Sequence, residues 1–187
     1  MSTSRLNAPY HHGDLRNALL EAALNILEQQ GEEGLGLRDL ARAVGVSPAA
    51  PYRHFDSRAA LLEALAVTGY QRFTRAMEDV AASNPPNLLG SMGRTYVRFA
   101  LENAALFRLM FSSQLRRDNR PGLRMAADAA FATLRHVSGG DTNAGRITAL
   151  AAWSRVHGLA TLLLNGQIAI RDGESVEYLV AAILATP

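Results

Sequence analysis

Apolar positions along this chain recur at spacings of three and four, the period of a helix face, and nowhere sustain the two-residue alternation of a strand. Leu15, Leu19, Ala22, Ala23, Ile26 and Leu27 form the first stripe, starting near Gly13 or Asp14 and stopped by Gly31. Leu37, Leu40, Ala41 and Val44 define a short second helix, weakly capped at Gly36 and closed by Gly45. A third helix is predicted from Pro48 to Phe55, with the Ser47 hydroxyl as its cap and Pro48 in the first turn, where a missing amide costs nothing. Asp56 and Ser57 then open a long fourth helix striped by Leu62, Leu65, Gly69, Phe73, Ala76 and Val80, which ends before Asn84, Pro85 and Pro86. Further helices are read at Leu88 to Leu101, Ala104 to Leu115, Pro121 to Val137, Asn143 to Leu164 and Val176 to Ala185, with loops around Asp118 to Pro121, Gly139 to Thr142 and Asp172 to Glu174.

The pattern therefore predicts an all-α protein of about nine helices, in which a three-helix N-terminal domain is joined by the long fourth helix to a C-terminal helical bundle. The domain boundaries are placed at residues 10–70 and 71–187. Composition fits a compact globular chain, with 48% hydrophobic and 19% charged residues. The longest unbroken apolar run, Tyr178 to Ala185, falls well short of the roughly 20 residues of a membrane span. Met1 to Pro9 lack the apolar core of a secretion signal, so a cytoplasmic protein with no membrane partner is expected.

The segment from Leu37 to Phe55 carries the chemistry. Ala41 is small enough for two helices to approach, Gly45 can take a left-handed turn, Val46 can bury between the helices, and Ser47 restarts the chain at once. These are the requirements of a helix-turn-helix, which presents its second helix to a DNA major groove. Ser47, Ala49 and Ala50 are short enough to let backbone approach base edges, with an alanine methyl able to meet thymine's; equally, alanine simply favours helix. Tyr52, Arg53 and His54 offer a hydroxyl, a guanidinium and an imidazole within one turn, all able to bind phosphate. Arg38 and Arg58 lie at helix N-termini, where the macrodipole disfavours cations unless an anion compensates.

Charge adds nothing to this reading. All 19 basic residues are arginine, yet the net charge is only +2, and residues 1–60 hold six arginines against seven acids. Binding to DNA would then depend on Arg38, Arg53 and Arg58 gathering on one face, and on two copies of a weak module.

Gly34 to Leu62 resembles the DNA-binding region of the tetracycline-repressor-like, or TetR, family, with a match running from about Tyr10 to Tyr70. The resemblance is carried by Leu15, Ala22 and Ala23, then Arg38, Leu40-Ala41, Ala43, Gly45-Val46-Ser47, Tyr52-Arg53-His54-Phe55 and Leu61-Leu62 after a basic residue. It implies that Arg38 contacts bases or phosphate, that Pro48 to Ala50 face base edges, and that Tyr52, His54 and Arg58 hold backbone phosphates. Two positions depart from the family pattern. Pro51 stands where an aliphatic residue is usual and removes an amide at the edge of the first turn, and Arg58 replaces a frequent lysine.

The resemblance further implies a homodimer on a palindromic operator in double-stranded DNA, released by a small apolar or amphipathic effector bound in the C-terminal half. Trp153-Ser154-Arg155-Val156-His157-Gly158-Leu159 resembles a recurrent stretch in one branch of the family. Phe99, Leu106, Met110, Phe111, Trp153 and His157 are the pocket candidates, although for Trp153 and His157 a packed tryptophan beside a satisfied histidine is the favoured reading. The helix through Trp153 and the last helix, from Val176, offer the apolar stripes for a dimer seam.

An enzyme is not expected. There is no cysteine, His11 and His12 are adjacent and so do not share a helix face, and His54, His136 and His157 have no carboxylate or second histidine at metal-ligand spacing. No glycine loop for phosphate, nucleophile elbow or paired-carboxylate motif occurs, and no metal or cofactor is implied. The other class open to this fold is a helical partner-binding or architectural protein without a small-molecule inducer.

Overall fold

The structure, a computed structural model, describes residues 12–115 and 120–186. Tyr10, His11, Asp118 and the proposed capping side chain of Asp14 lie outside the described residues. Among those described there are eight α-helices, two short 3₁₀ turns and no strand. The chain divides into two compact units, Met1–Leu65 and Ala66–Pro187.

In the first unit, α1 (His12–Gln30) buries Leu19, Leu20, Ala23, Leu24 and Leu27. Gly31, at φ 71°, ends it and leads through a 3₁₀ turn at Glu32–Gly34 into α2 (Leu37–Val44). The C-terminus of α2 shows why the sequence turns there. Gly45 adopts φ 75°, its amide donates to the Arg42 carbonyl at 3.2 Å, and the Val46 amide donates to the Ala41 carbonyl at 3.0 Å. This is a Schellman motif, and the left-handed residue it needs is the glycine the sequence supplies. Val46 itself is half-buried rather than enclosed.

The expected third α-helix is not one. Pro48–Ala50 form a turn and Pro51–Arg53 a single 3₁₀ turn, so there are eight α-helices where about nine were expected. Proline chemistry explains the difference. In an α-helix residue 51 would donate to the Ser47 carbonyl, but Pro51 has no amide. The Ala50 amide takes that carbonyl instead, at 2.9 Å, which tightens the chain into i to i+3 bonds. Ala50 thereby leaves the Ser47 hydroxyl without the amide it was expected to cap. The Pro51 ring is fully buried, as an aliphatic side chain there would be. The next helix, α3 (Arg58–Ala82), starts as expected, with the Ala60 amide donating to Ser57 Oγ at 3.2 Å.

The second unit contains the rest of α3 with α4 (Leu88–Glu102), α5 (Ala104–Met110), α6 (Pro121–Val137), α7 (Asn143–Leu164) and α8 (Val176–Ala185). Asn87, Thr142 and Ser175 cap α4, α7 and α8 through their side-chain oxygens. The α5 helix stops at Met110, short of the expected Leu115, because the Ser112 hydroxyl accepts the Gln114 amide at 3.2 Å and competes with helical bonding. The α4 helix lies centrally, packed on α7 and α8. Gly93 makes that packing possible, since a Cβ there would sit 2.8 Å from Leu184 Cδ1.

At 22 residues, α7 is long and apolar enough on average to cross a membrane, although it contains no unbroken apolar run of that length. The helix carries Arg155 at mid-length, where the guanidinium donates to the Ile183 and Thr186 carbonyls at 2.7 Å, and it buries Ala149, Val156, Leu159 and Ala160.

Candidate functional site

Two places concentrate chemistry, one in each unit. In the first, the turn between α2 and α3 places Ser47, Pro48, Ala49, Tyr52 and Arg53 at the surface, with Tyr52 47% exposed and Ala50 and His54 half-buried. Phe55, 2% exposed, anchors the turn, and the Arg16 guanidinium lies 5.5 Å above its ring. Arg38 projects from the first turn of α2. Among the described residues neither Arg38 nor Arg53 has a hydrogen-bond or ion-pair partner, so both cations face solvent with all donors available.

Arg58 differs from that pair. Its Nε donates to the Leu35 carbonyl at 3.0 Å, and a terminal nitrogen donates to the Glu32 carbonyl. Those carbonyls answer the unfavourable position of a cation at a helix N-terminus, which the sequence suggested an external anion would do. Arg58 also ties the start of α3 to the turn before α2.

In the second unit a cavity of about 170 Å³ is enclosed by α3, α4, α5, α6 and α7. From α3 come Tyr70, Phe73 and Met77; from α4 Leu89, Met92, Gly93 and Tyr96; from α5 and its end Phe107, Met110 and Phe111. The far wall is Ala127, Asp128, Ala130, Phe131 and Leu134 of α6 with Ala152, Trp153 and Val156 of α7. Of the six pocket candidates from the sequence, Met110, Phe111 and Trp153 line the cavity. Phe99 packs behind it against Phe73 at 5.3 Å, Leu106 is buried between α5 and Gly69 of α3, and His157 sits one layer back against Phe111 at 4.6 Å.

The polar groups of the ring wall are turned onto protein partners. Tyr70 Oη donates to the Met110 carbonyl at 2.9 Å, Trp153 Nε1 donates to Tyr96 Oη at 3.3 Å, and Tyr96 Oη shares a 2.8 Å hydrogen bond with His157 Nδ1. His157 is thus both packed and satisfied, and it orients a wall residue. Edge-to-face contacts such as Phe73 on Tyr96, at 5.2 Å and 81°, fix the rings further. Tyr96, Phe73, Phe131 and Asp128 were missed as lining residues. The available signal is helical spacing of large apolar side chains, as in Tyr70, Phe73 and Met77 or Tyr96 and Phe99.

The description "Bacterial regulatory proteins, tetR family" matches residues 19–65, and "Tetracyclin repressor-like, C-terminal domain" matches residues 89–186, more than half of the chain. The chain belongs to the TetR family. A TetR regulator of this build is an all-α protein whose N-terminal helix-turn-helix binds DNA in transcriptional regulation. Proteins of the family are generally DNA-binding rather than enzymatic. No curated protein matches this sequence. Among solved structures it is similar to a protein of unknown function from Rhodococcus sp. RHA1, at 36% identity over 95% of both chains and a TM-score of 0.81. The fold is shared by PfmR, a TetR-family transcriptional regulator of Thermus thermophilus, at 21% identity over 89% of this chain and 94% of that one, with a TM-score of 0.61. It is shared too by the multidrug binding protein EbrR, solved in complex with imidazole, at 21% identity over 95% and 94% and a TM-score of 0.59.

Proposed function

We propose that this TetR regulator is a cytoplasmic homodimeric repressor that holds a palindromic operator through the turn between α2 and α3 and leaves it when a small molecule enters the ring-lined cavity. The observation that carries the reading is α3 itself. Three residues separate its N-terminus from the exposed Tyr52 and Arg53 and the half-buried His54, and further along the same helix Tyr70, Phe73 and Met77 line the cavity. A ligand that displaces those rings acts on a helix continuous with the DNA-holding segment. Two such segments in a dimer must match half-sites about 34–36 Å apart.

In the contact itself, Arg38, Tyr52, Arg53 and His54 hold phosphates, and Ser47, Pro48, Ala49 and Ala50 approach base edges. Arg58 braces the segment from behind. The dimer seam is formed by α7 and α8, which expose Ile147 (56%), Leu162 (42%) and Tyr178 (69%). The EbrR complex supports a small-molecule role for the cavity by likeness of fold.

The test is selection of bound fragments from the source genome by the full-length protein, with its mass measured in solution. A shared palindrome recovered by a dimer supports the proposal; fragments with no common palindrome, or a monomer, refute it.

A further inference from the structure

Resting on the reading of this cavity as the effector site, we infer that the ligand class is a compact organic cation with a one-ring aromatic body, its charge held by Asp128 at the cavity mouth. An apolar cavity of roughly 150 Å³ accepts a benzene-sized body, and about 170 Å³ is available here. The walls are aromatic and aliphatic side chains, which suit an uncharged aromatic body packed among them. The hydroxyls of Tyr70 and Tyr96 and the indole N–H of Trp153 are engaged with protein partners, so the wall has no ready donor for a carboxylate or phosphate.

Among the described residues, Asp128 is the one charged residue of the lining. It is exposed, and it has no hydrogen-bond or ion-pair partner among the described residues, including Arg124 one turn earlier on α6. Leu89, 41% exposed, is the other exposed lining residue among those described, so Asp128 and Leu89 mark where the lining meets solvent. The geometry seats the aromatic body among the rings and the ammonium outward at the carboxylate. An anion in that place meets Asp128 as a like charge.

The experiment uses the full-length protein and the emission of Trp153, the chain's single tryptophan and part of the cavity wall. Three probes of similar body are titrated: benzyltrimethylammonium, its uncharged carbon isostere neopentylbenzene, and phenylacetate. The expected result is saturable binding of the cation, with phenylacetate weaker. D128N, a surface change, weakens the cation by about twofold to fivefold while neopentylbenzene binding is unchanged. Equal effects of D128N on the cation and the isostere, or tighter binding of phenylacetate, overturn the inference and leave the cavity an effector site. No saturable response to any probe overturns both.

Discussion

Replacing Tyr96 with phenylalanine removes one oxygen and interrupts two hydrogen bonds, from Trp153 Nε1 at 3.3 Å and with His157 Nδ1 at 2.8 Å. The ring packing against Phe73 and Phe107 is kept, so the perturbation is confined to the polar network. A net contribution of about 0.5–1.5 kcal/mol per bond gives roughly 1–3 kcal/mol. Trp153 and His157 are only half-buried, and water can recover part of that loss, which brings the expected cost to about 1–2 kcal/mol. For a chain of this length that corresponds to a fall in Tm of roughly 2–8 °C. The assay is thermal and urea unfolding followed by Trp153 emission, with the native emission maximum read in the same samples. Unchanged Tm together with unchanged native emission would refute the claim that the hydroxyl holds the indole and the imidazole in place.

Three further outcomes follow from the geometry. R38A and R53A each lower DNA affinity across sequences and reduce the salt slope by about one, checked by titrating a fixed duplex at several salt concentrations; an unchanged slope places that guanidinium away from phosphate. R58A removes both donations to the Leu35 and Glu32 carbonyls, so unfolding of the first unit shifts by about 1–3 kcal/mol while the salt slope stays constant; a reduced slope would give Arg58 a phosphate contact. G145A puts a Cβ 2.7 Å from the Gly139 carbonyl carbon, a backbone atom that cannot swing aside, and costs about 1–3 kcal/mol in chemical unfolding; a neutral change would mean that the loop before α7 yields freely.

Helix order and the turn at Gly45 were legible because they rest on local chemistry. Ser57, Asn87, Thr142 and Ser175 each announce a start, and Gly31 and Gly45 each announce a stop, through groups within a few residues. The 3₁₀ turn was half legible. Pro51 was seen to remove an amide, but its consequence, the Ala50 amide taking the Ser47 carbonyl and stranding the proposed cap, depends on how the whole turn closes. The cavity was the least legible feature. Phe99 and Tyr96 share a face of α4, and only packing by α3 and α7 decides that one borders the void while the other fills the space behind Phe73. A void is defined by side chains of several helices failing to meet, and no single stripe encodes it.

The central claim, that the segment from Ser47 to His54 holds DNA, is tested most directly by fluorescence anisotropy of a genome-selected duplex with the wild type and with Y52A/H54A. Both side chains are at least partly exposed, so the variant is expected to fold and to keep the wild-type mass in solution. The account predicts that specific binding by Y52A/H54A falls by more than about tenfold, two lost phosphate contacts at roughly 1 kcal/mol or more each. Wild-type affinity in the double variant would contradict it.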